Sequence, residues 1–395
     1  MSPIRRLLSY RGIPIWRDVR VLQAVGQLVS VMFVVSILVF FVANLMSAAD
    51  ERGLSLGFDF LDQEAGFPIG ESVIDYHPAD SFLYAFGVGI ANTLKAALLG
   101  VIFATLLGVA VGLARLSSNW LVRNLAGVYV QTIRNVPLLV QLFFWYFAVF
   151  QALPLVREAV RLPGPVYLSN RGLFMVWPRM TSTFDTWLGF LAVGLVVAVG
   201  LRFVLMRRER RSGRPSHAVV VPWLAFAAIG VIGWIAAGES PLGRSVPTLG
   251  EFNFEGGARI TPEFGALLVG LVLYTATFIA EIVRAGIQSV SRGQSEAALA
   301  LGLSSFQTTR LVVFPQALRV IVPPLISQYL NLTKNSSLAV AIAYPELFTV
   351  GRTMINQAGR AVPIFLLIMA AYLAMSLTWA AVGNLYNRRV QMVEH

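Results

Sequence analysis

The sequence predicts an all-α membrane protein of about eight transmembrane helices, and three observations predict it. Of the 395 residues, 56% are hydrophobic and only 13% charged, against roughly 25% charged in a soluble domain. Mean hydropathy is +0.70, which leaves too little polar surface to wrap a water-soluble globule. The apolar residues also gather near 25–46, 91–114, 125–150, 186–206, 218–237, 265–290, 317–342 and 362–386. Each stretch is close to the ~20 residues that cross a bilayer.

The first stretch is followed by a long polar loop and lacks an A-x-A cleavage site. It is expected to be a retained helix, not a signal peptide. Arginines set the orientation. Arg5, Arg6, Arg11, Arg17 and Arg20 precede this helix, so the N-terminus is expected in the cytoplasm. Residues 47–80 carry eight acids and one arginine and belong outside. Alternation then puts the Arg207–Arg214 cluster, residues 291–316 and the Arg388–Arg389 pair inside, so both termini are cytoplasmic. One loop breaks the pattern: residues 151–183, expected outside, carry Arg157, Arg161, Arg171 and Arg179. The basic run Arg207–Ser216 reads as a solvated turn that joins two stretches into a helical hairpin. Lys95, at the outer end of the second stretch, reads as an interfacial anchor.

Composition also excludes chemistry. There is no cysteine, so no disulfide or thiolate metal site forms. His77, His217 and His395 are far apart, which leaves no histidine metal cluster. A net charge of +11 follows from the positive-inside bias and does not call for nucleic acid. Neither Lys95 nor Lys334, the only lysines, stands in a G-x4-G-K-[ST] phosphate loop. No ATP-hydrolysing loop of this kind is therefore expected in the chain.

Residues 293–315 read GQSEAALALGLSSFQTTRLVVFP. Ala297, Ala298, Leu299 and Leu301 suit a short helix with one apolar side, and Gly302 can end it in the left-handed conformation. Ser304 and Gln307 offer a capping box for a second helix. Pro315 is expected to restrict Phe314 and reset the chain direction. A small, partly apolar knob in water suits docking into a groove of another protein.

This stretch resembles the EAA signature, E-A-A-x3-G-x9-I-x-L-P, of permeases in ATP-binding-cassette importers, with Glu296, Ala297, Ala298, Gly302 and Pro315 in place. Val312 and Phe314 stand at the Ile and Leu positions. The resemblance implies a type I importer transmembrane domain, whose knob inserts into an ATPase subunit. Tyr129–Phe150, YVQTIRNVPLLVQLFFWYFAVF, resembles the polar amino-acid branch (histidine, glutamine, arginine), with Gln131 where a Glu is usual. Leu273–Val290 matches the same branch and places Glu281 and Arg284 one helical turn apart. Gly57–Ser72 and Ala114–Leu125 resemble the long subunits of general L-amino acid permeases.

The resemblance implies four segments. Residues 1–90 hold the cytoplasmic segment, first helix and outer loop; 91–150 the first part of the core. Residues 151–263 are a periplasmic insertion with an additional helical hairpin, and 264–395 complete the core around the coupling loop 291–316. It also implies partners: ABC ATPase subunits that bind the ATP, a periplasmic amino-acid-binding protein, and a second permease in a heterodimer or a homodimer. The setting is the bacterial inner membrane with its lipid, and the substrates are amino acids, broadly L-amino acids.

The seventh stretch points to a substrate path. Pro323 and Pro324 lie early in it, and Asn331-Leu332-Thr333-Lys334-Asn335-Ser336-Ser337 follows at membrane depth. Polar groups and loosened backbone are tolerated there only beside protein or a water-filled cavity, and a broken helix marks transporter binding sites. Lys334 suits a substrate carboxylate; Asn335, Ser336, Ser337 and Asn331 offer hydrogen bonds, with Thr275 and Thr277 on the preceding helix. The segment resembles the family's L-x-K-[DN]-[ST]-S-L element, and the neutral Asn335 fits broad selectivity. An ion-coupled carrier would share this polarity but has no use for the knob.

Overall fold

The computed structural model describes residues 9–10, 13–14, 19–51, 56–212 and 217–390. Arg5, Arg6, Arg11, Arg17, Arg214 and His395 lie outside them.

Every expected stretch is helical. α1 is Val19–Glu51 and α2 Phe82–Ala114; the third stretch becomes α3, Trp120–Asn135, and α4, Leu138–Phe143, extended by a π turn over Phe144–Phe150. The hairpin is α5, Phe184–Ser212, and α6, Val220–Ala236; α7 is Pro262–Gln288. The knob holds α8, Arg292–Ala300, and α9, Ser305–Thr308. α10, Phe314–Asn335, continues as a 3₁₀ segment, Ser336–Ile342, and α11, Leu347–Ala358, precedes α12, Ala361–Val390. Among the described residues six helical spans are long and apolar enough to cross a membrane, and the bent α3–α4 pair makes seven. The shorter apolar α6 supplies the eighth expected stretch.

Two compact units divide the chain. In the first, residues 1–68, 76–87 and 350–371, the outer loop folds on aromatic contacts. Phe60 and Phe67 lie 5.7 and 6.3 Å from Phe82, and the Tyr76 hydroxyl donates to the Phe67 carbonyl at 2.8 Å. No residue of the apolar α1 span Leu22–Asn44 is buried, as suits a helix whose solvent is lipid.

The second unit, residues 69–75, 88–349 and 372–395, is built around α7. Leu267, Leu271, Ile279 and Val283 of α7 meet Ala97, Val101 and Ala104 of α2, Leu142 of α4, and Ile321 and Leu325 of α10. Backbones come close where side chains are small, as membrane packing requires: a Cβ on Gly112 of α2 would lie 2.8 Å from the Ala280 carbonyl.

Three expectations change. Residues 125–150 are not one helix but two segments bent by 101°. Val136, before Pro137, is extended at φ −96°, ψ 127°, as a residue preceding proline prefers. The Gln141 amide then donates to the carbonyls of Ile133 and Val136 at 2.8 and 2.9 Å, satisfying the end of α3. Next, the polar residues 331–337 do not open a gap: α10 ends at Asn335 inside them, and the chain winds on as the tighter 3₁₀ segment Ser336–Ile342. Thr333 donates to the Tyr329 carbonyl and Ser336 to Thr333, so these hydroxyls are satisfied within the helix. The break comes later, at Ala343, which is left-handed at φ 59°. Finally, Pro315 does not reset the chain: Phe314 is helical at φ −63°, ψ −44°, and a π turn over Thr309–Val313 joins α9 to α10.

The insertion holds strands as well as the hairpin. β1 is Val160–Leu162, β2 Val166–Ser169, β3 Gly172–Met175, β4 Trp177–Met180, β5 Leu242–Ser245 and β6 Ala258–Ile260. They form an antiparallel sheet of order β6-β3-β2-β1 and a β4–β5 pair.

Candidate functional site

The knob between α7 and α10 is assembled from local rules. Gly302 sits at φ +83°. Its amide donates to the Leu299 carbonyl at 2.9 Å and that of Leu303 to Ala298 at 3.2 Å, the two bonds of a Schellman ending. α9 begins with a full capping box: the Gln307 amide donates to Ser304 Oγ at 3.3 Å, and the Ser304 amide to Gln307 Oε1 at 2.9 Å. Gln316 Nε2 donates to Gln294 Oε1 at 3.3 Å, tying α8 to the start of α10. Only Ala298 and Thr308 are buried; Glu296, Ala297 and Pro315 are exposed. Leu301 is 83% and Phe306 72% exposed. Two large apolar side chains held this open on a rigid turn form a surface made to be covered.

Behind the knob lies a charged knot. Glu281 of α7 receives Arg284 Nε at 3.0 Å and also pairs with Arg115, which follows α2. Arg284 reaches Gln288 Oε1 at 2.6 Å. Burial, then the like charge of Arg284, hold the Arg115 guanidinium below its usual value. The Glu281–Arg284 pair was legible at i,i+3; Arg115, 166 positions upstream of Glu281, was not. Arg134 closes the last turn of α3 with its guanidinium 4.8 Å from the centre of the Phe278 ring.

In α10 the polar residues divide between two faces. Asn331, Lys334 and Asn335, at i, i+3 and i+4, share one stripe; Asn331 and Lys334 are exposed, Asn335 and Ser337 half-buried. Thr333 and Ser336 turn inward, where Trp379 Nε1 donates to Thr333 Oγ at 3.1 Å. Ser336 donates to the Thr333 carbonyl at 2.7 Å and Ser337 to Lys334 at 2.8 Å. Thr275 and Thr277 are buried in α7, and Thr277 donates to the Tyr274 carbonyl at 2.7 Å. The structure thus brings Asn331, Lys334 and Asn335 to one accessible stripe and turns Ser336, Thr275 and Thr277 into the packed interior.

A third polar cluster, at the N-terminal end of α7, was missed. Lys95 is not an anchor. Its ammonium pairs with Glu71 at 2.5 Å and lies 4.1 Å from the centre of the Phe264 ring. Thr261, the N-cap of α7, donates to the other Glu71 oxygen. Asn92, fully buried in α2, donates to the carbonyls of Glu71 and Pro345 at 2.8 Å each. Glu346 is also fully buried and accepts from the amides of Phe348 and Thr349, the Thr349 hydroxyl and the Tyr372 hydroxyl, at 2.8–3.0 Å. Asn92 and Thr93 inside an apolar helix were the available signal, since polar groups at that depth need partners.

Three sets of contacts therefore stand along α7: the buried network at its start, the core in its middle, the charged knot and exposed knob at its end. Residues 215–392 match the family described as "Binding-protein-dependent transport system inner membrane component". The general L-amino acid transport system permease protein AapQ of Rhizobium johnstonii is 46% identical over 347 residues, 86% of this chain and 84% of that protein. YhdX of Escherichia coli (strain K12) is 43% identical over 374 residues, 93% and 94% of the two chains. The glutamate/glutamine/aspartate/asparagine transport system permease protein BztB of Rhodobacter capsulatus is 38% identical over 411 aligned positions, 95% of each chain.

Proposed function

We propose a function from the premise that the chain belongs to the family of amino-acid ABC transporter permeases. It is the membrane-spanning permease subunit of an importer that carries L-amino acids, over a broad range, across the bacterial inner membrane. The knob carries this reading: Leu301 and Phe306, exposed on a turn with both helix ends capped, fit a groove on an ATPase partner. That partner binds and hydrolyses the ATP. With a soluble binding protein and a second permease, most simply a heterodimer, it completes the machine. Both termini and the knob face the cytoplasm. Because the sheet β6-β3-β2-β1 precedes the first turn of α7 and the knob follows its last, the sheet lies at the periplasmic end.

Within this machine the Asn331, Lys334 and Asn335 stripe lines the substrate path. Lys334 meets the carboxylate of an amino acid, and Asn335 hydrogen-bonds its head group without selecting for side-chain charge. Asn335→Asp adds a negative charge to a passage of low dielectric. It is expected to favour cationic and disfavour acidic substrates by about 1–3 kcal/mol at an effective dielectric near ~20. Competition uptake of arginine, leucine and glutamate into vesicles holding the assembled complex reads this. A uniform fall across all three would make Asn335 a packing residue, and an unchanged profile would put it off the path.

A further inference from the structure

Residues 151–183 carry four arginines against one acid, Glu158, on the side where the positive-inside rule disfavours them in a short loop. The structure gives these charges a place. Across the sheet, Arg161 of β1 pairs with Tyr167 of β2, Tyr167 with Phe174 of β3, and Phe174 with Arg259 of β6. Residues directly opposite each other on antiparallel strands project from the same face, so the four form one row with arginine at both ends. Phe254 stacks on this row, 4.6 Å from Tyr167 and 4.9 Å from Phe174. The Arg259 guanidinium lies 5.7 Å from the Phe174 ring centre, and its Nε donates to the Arg171 carbonyl at 3.0 Å.

The neighbouring row, Val160, Leu168, Leu173 and Ile260, projects from the opposite face, because side chains alternate along a strand. Ile260 packs against the helical core, so the apolar row faces the core and the arginine row faces away. All three residues of the edge strand β1 are exposed, as are Arg157, Arg171 and Arg259. Phe174 is 1% exposed, packed against Phe254, so the face presents the guanidinium groups at its ends with half-buried Tyr167 and Phe254 between them, and arginine is among the residues enriched in protein interfaces. The sheet is also tied to the transport core: β6 runs into the N-cap Thr261, which donates to Glu71, the partner of Lys95.

We propose that this arginine-framed outer face of the β6-β3-β2-β1 sheet is the platform on which an acidic surface of the soluble solute-binding protein docks. Guanidinium at both ends calls for carboxylates on the occupant. The matched family is described as binding-protein-dependent, and load placed on the sheet reaches α7 through Thr261. The inference rests on the reading that this end of α7 is periplasmic.

The test uses the assembled complex in phosphatidylcholine nanodiscs, with ATPase activity titrated against substrate-loaded binding protein. Arg161→Glu combined with Arg157→Glu is expected to raise the half-saturating concentration about tenfold, since charges at an interface rim act mainly on encounter. Basal and maximal rates should hold, Arg161→Lys should stay near wild type, and the salt dependence of half-saturation should weaken in the reversed variant. Because the chain has no cysteine, Arg161→Cys gives a unique handle for a photo-crosslinker, and an adduct with the binding protein is expected. An unchanged half-saturation, or adducts only with the second permease or with lipid, would overturn the proposal. Labelling of Arg161→Cys in spheroplasts by an impermeant maleimide checks the sidedness separately. Labelling without docking defeats this inference alone; protection from the reagent defeats the periplasmic reading with it.

Discussion

Gly302→Val is expected to lower binding-protein-stimulated ATPase activity of the assembled complex by tenfold or more, while the chain still inserts and assembles. Gly302 holds φ +83° and nothing lies within 4 Å of a Cβ built there. A Cβ there meets no clash, so the cost argued from is that of the backbone. A β-branched residue in the left-handed region loses about 1–2 kcal/mol or more. That is comparable to the two Schellman bonds, from Gly302 to Leu299 and from Leu303 to Ala298, at about 1 kcal/mol each. The cheapest relaxation unwinds the turn and swings Leu301 and Phe306 away from their docking positions. Gly302→Asn separates this from bulk, because Asn tolerates the left-handed region, and should keep most of the stimulation. Stimulation at the wild-type level in Gly302→Val would mean that the turn does not transmit the ATPase stroke.

The second large effect is expected at Glu346. Its carboxylate is fully buried and accepts four hydrogen bonds, two from the amides that open α11 and one from Tyr372 of α12. It caps one helix and ties it to the next. Glu346→Ala removes the acceptor of four hydrogen bonds from a fully buried site. The expected loss is about 3–5 kcal/mol, read as an earlier unfolding midpoint when purified protein is titrated from mild detergent into dodecyl sulfate. Tyr372→Phe removes one of the four bonds and should cost about 1–2 kcal/mol. A midpoint for Glu346→Ala equal to wild type would show that water or a neighbouring group replaces the carboxylate.

The knob was legible almost residue by residue because everything that shapes it is local. A glycine three residues after Leu299 and a Ser–Gln pair at capping spacing define their own hydrogen bonds. Features that depend on distant partners were not legible. Pro137 announces a bend, but its 101° is held by Gln141 reaching back to Ile133 and Val136. Residues 331–337 read as a break because the count of polar side chains ignores where their hydroxyls go. Thr333 and Ser336 donate to carbonyls one turn earlier, and the chain stays helical while it tightens from α to 3₁₀ at Ser336. Lys95 read as an anchor because its partner Glu71 sits in a loop 24 positions away. The strands of the insertion are two to four residues each, too short for alternation to stand out, and the pairing of β3 with β6 skips the whole hairpin.

On the proposed function, a permease with an exposed docking knob and no phosphate loop draws its energy from a partner's ATP. Proteoliposomes holding this chain and its partner subunits, with ATP inside and binding protein outside, measure that directly. Amino-acid uptake is expected to continue after ionophores collapse every ion gradient and to stop when internal ATP is replaced by a non-hydrolysable analogue. Uptake that vanishes with the gradient while ATP remains intact would contradict the account.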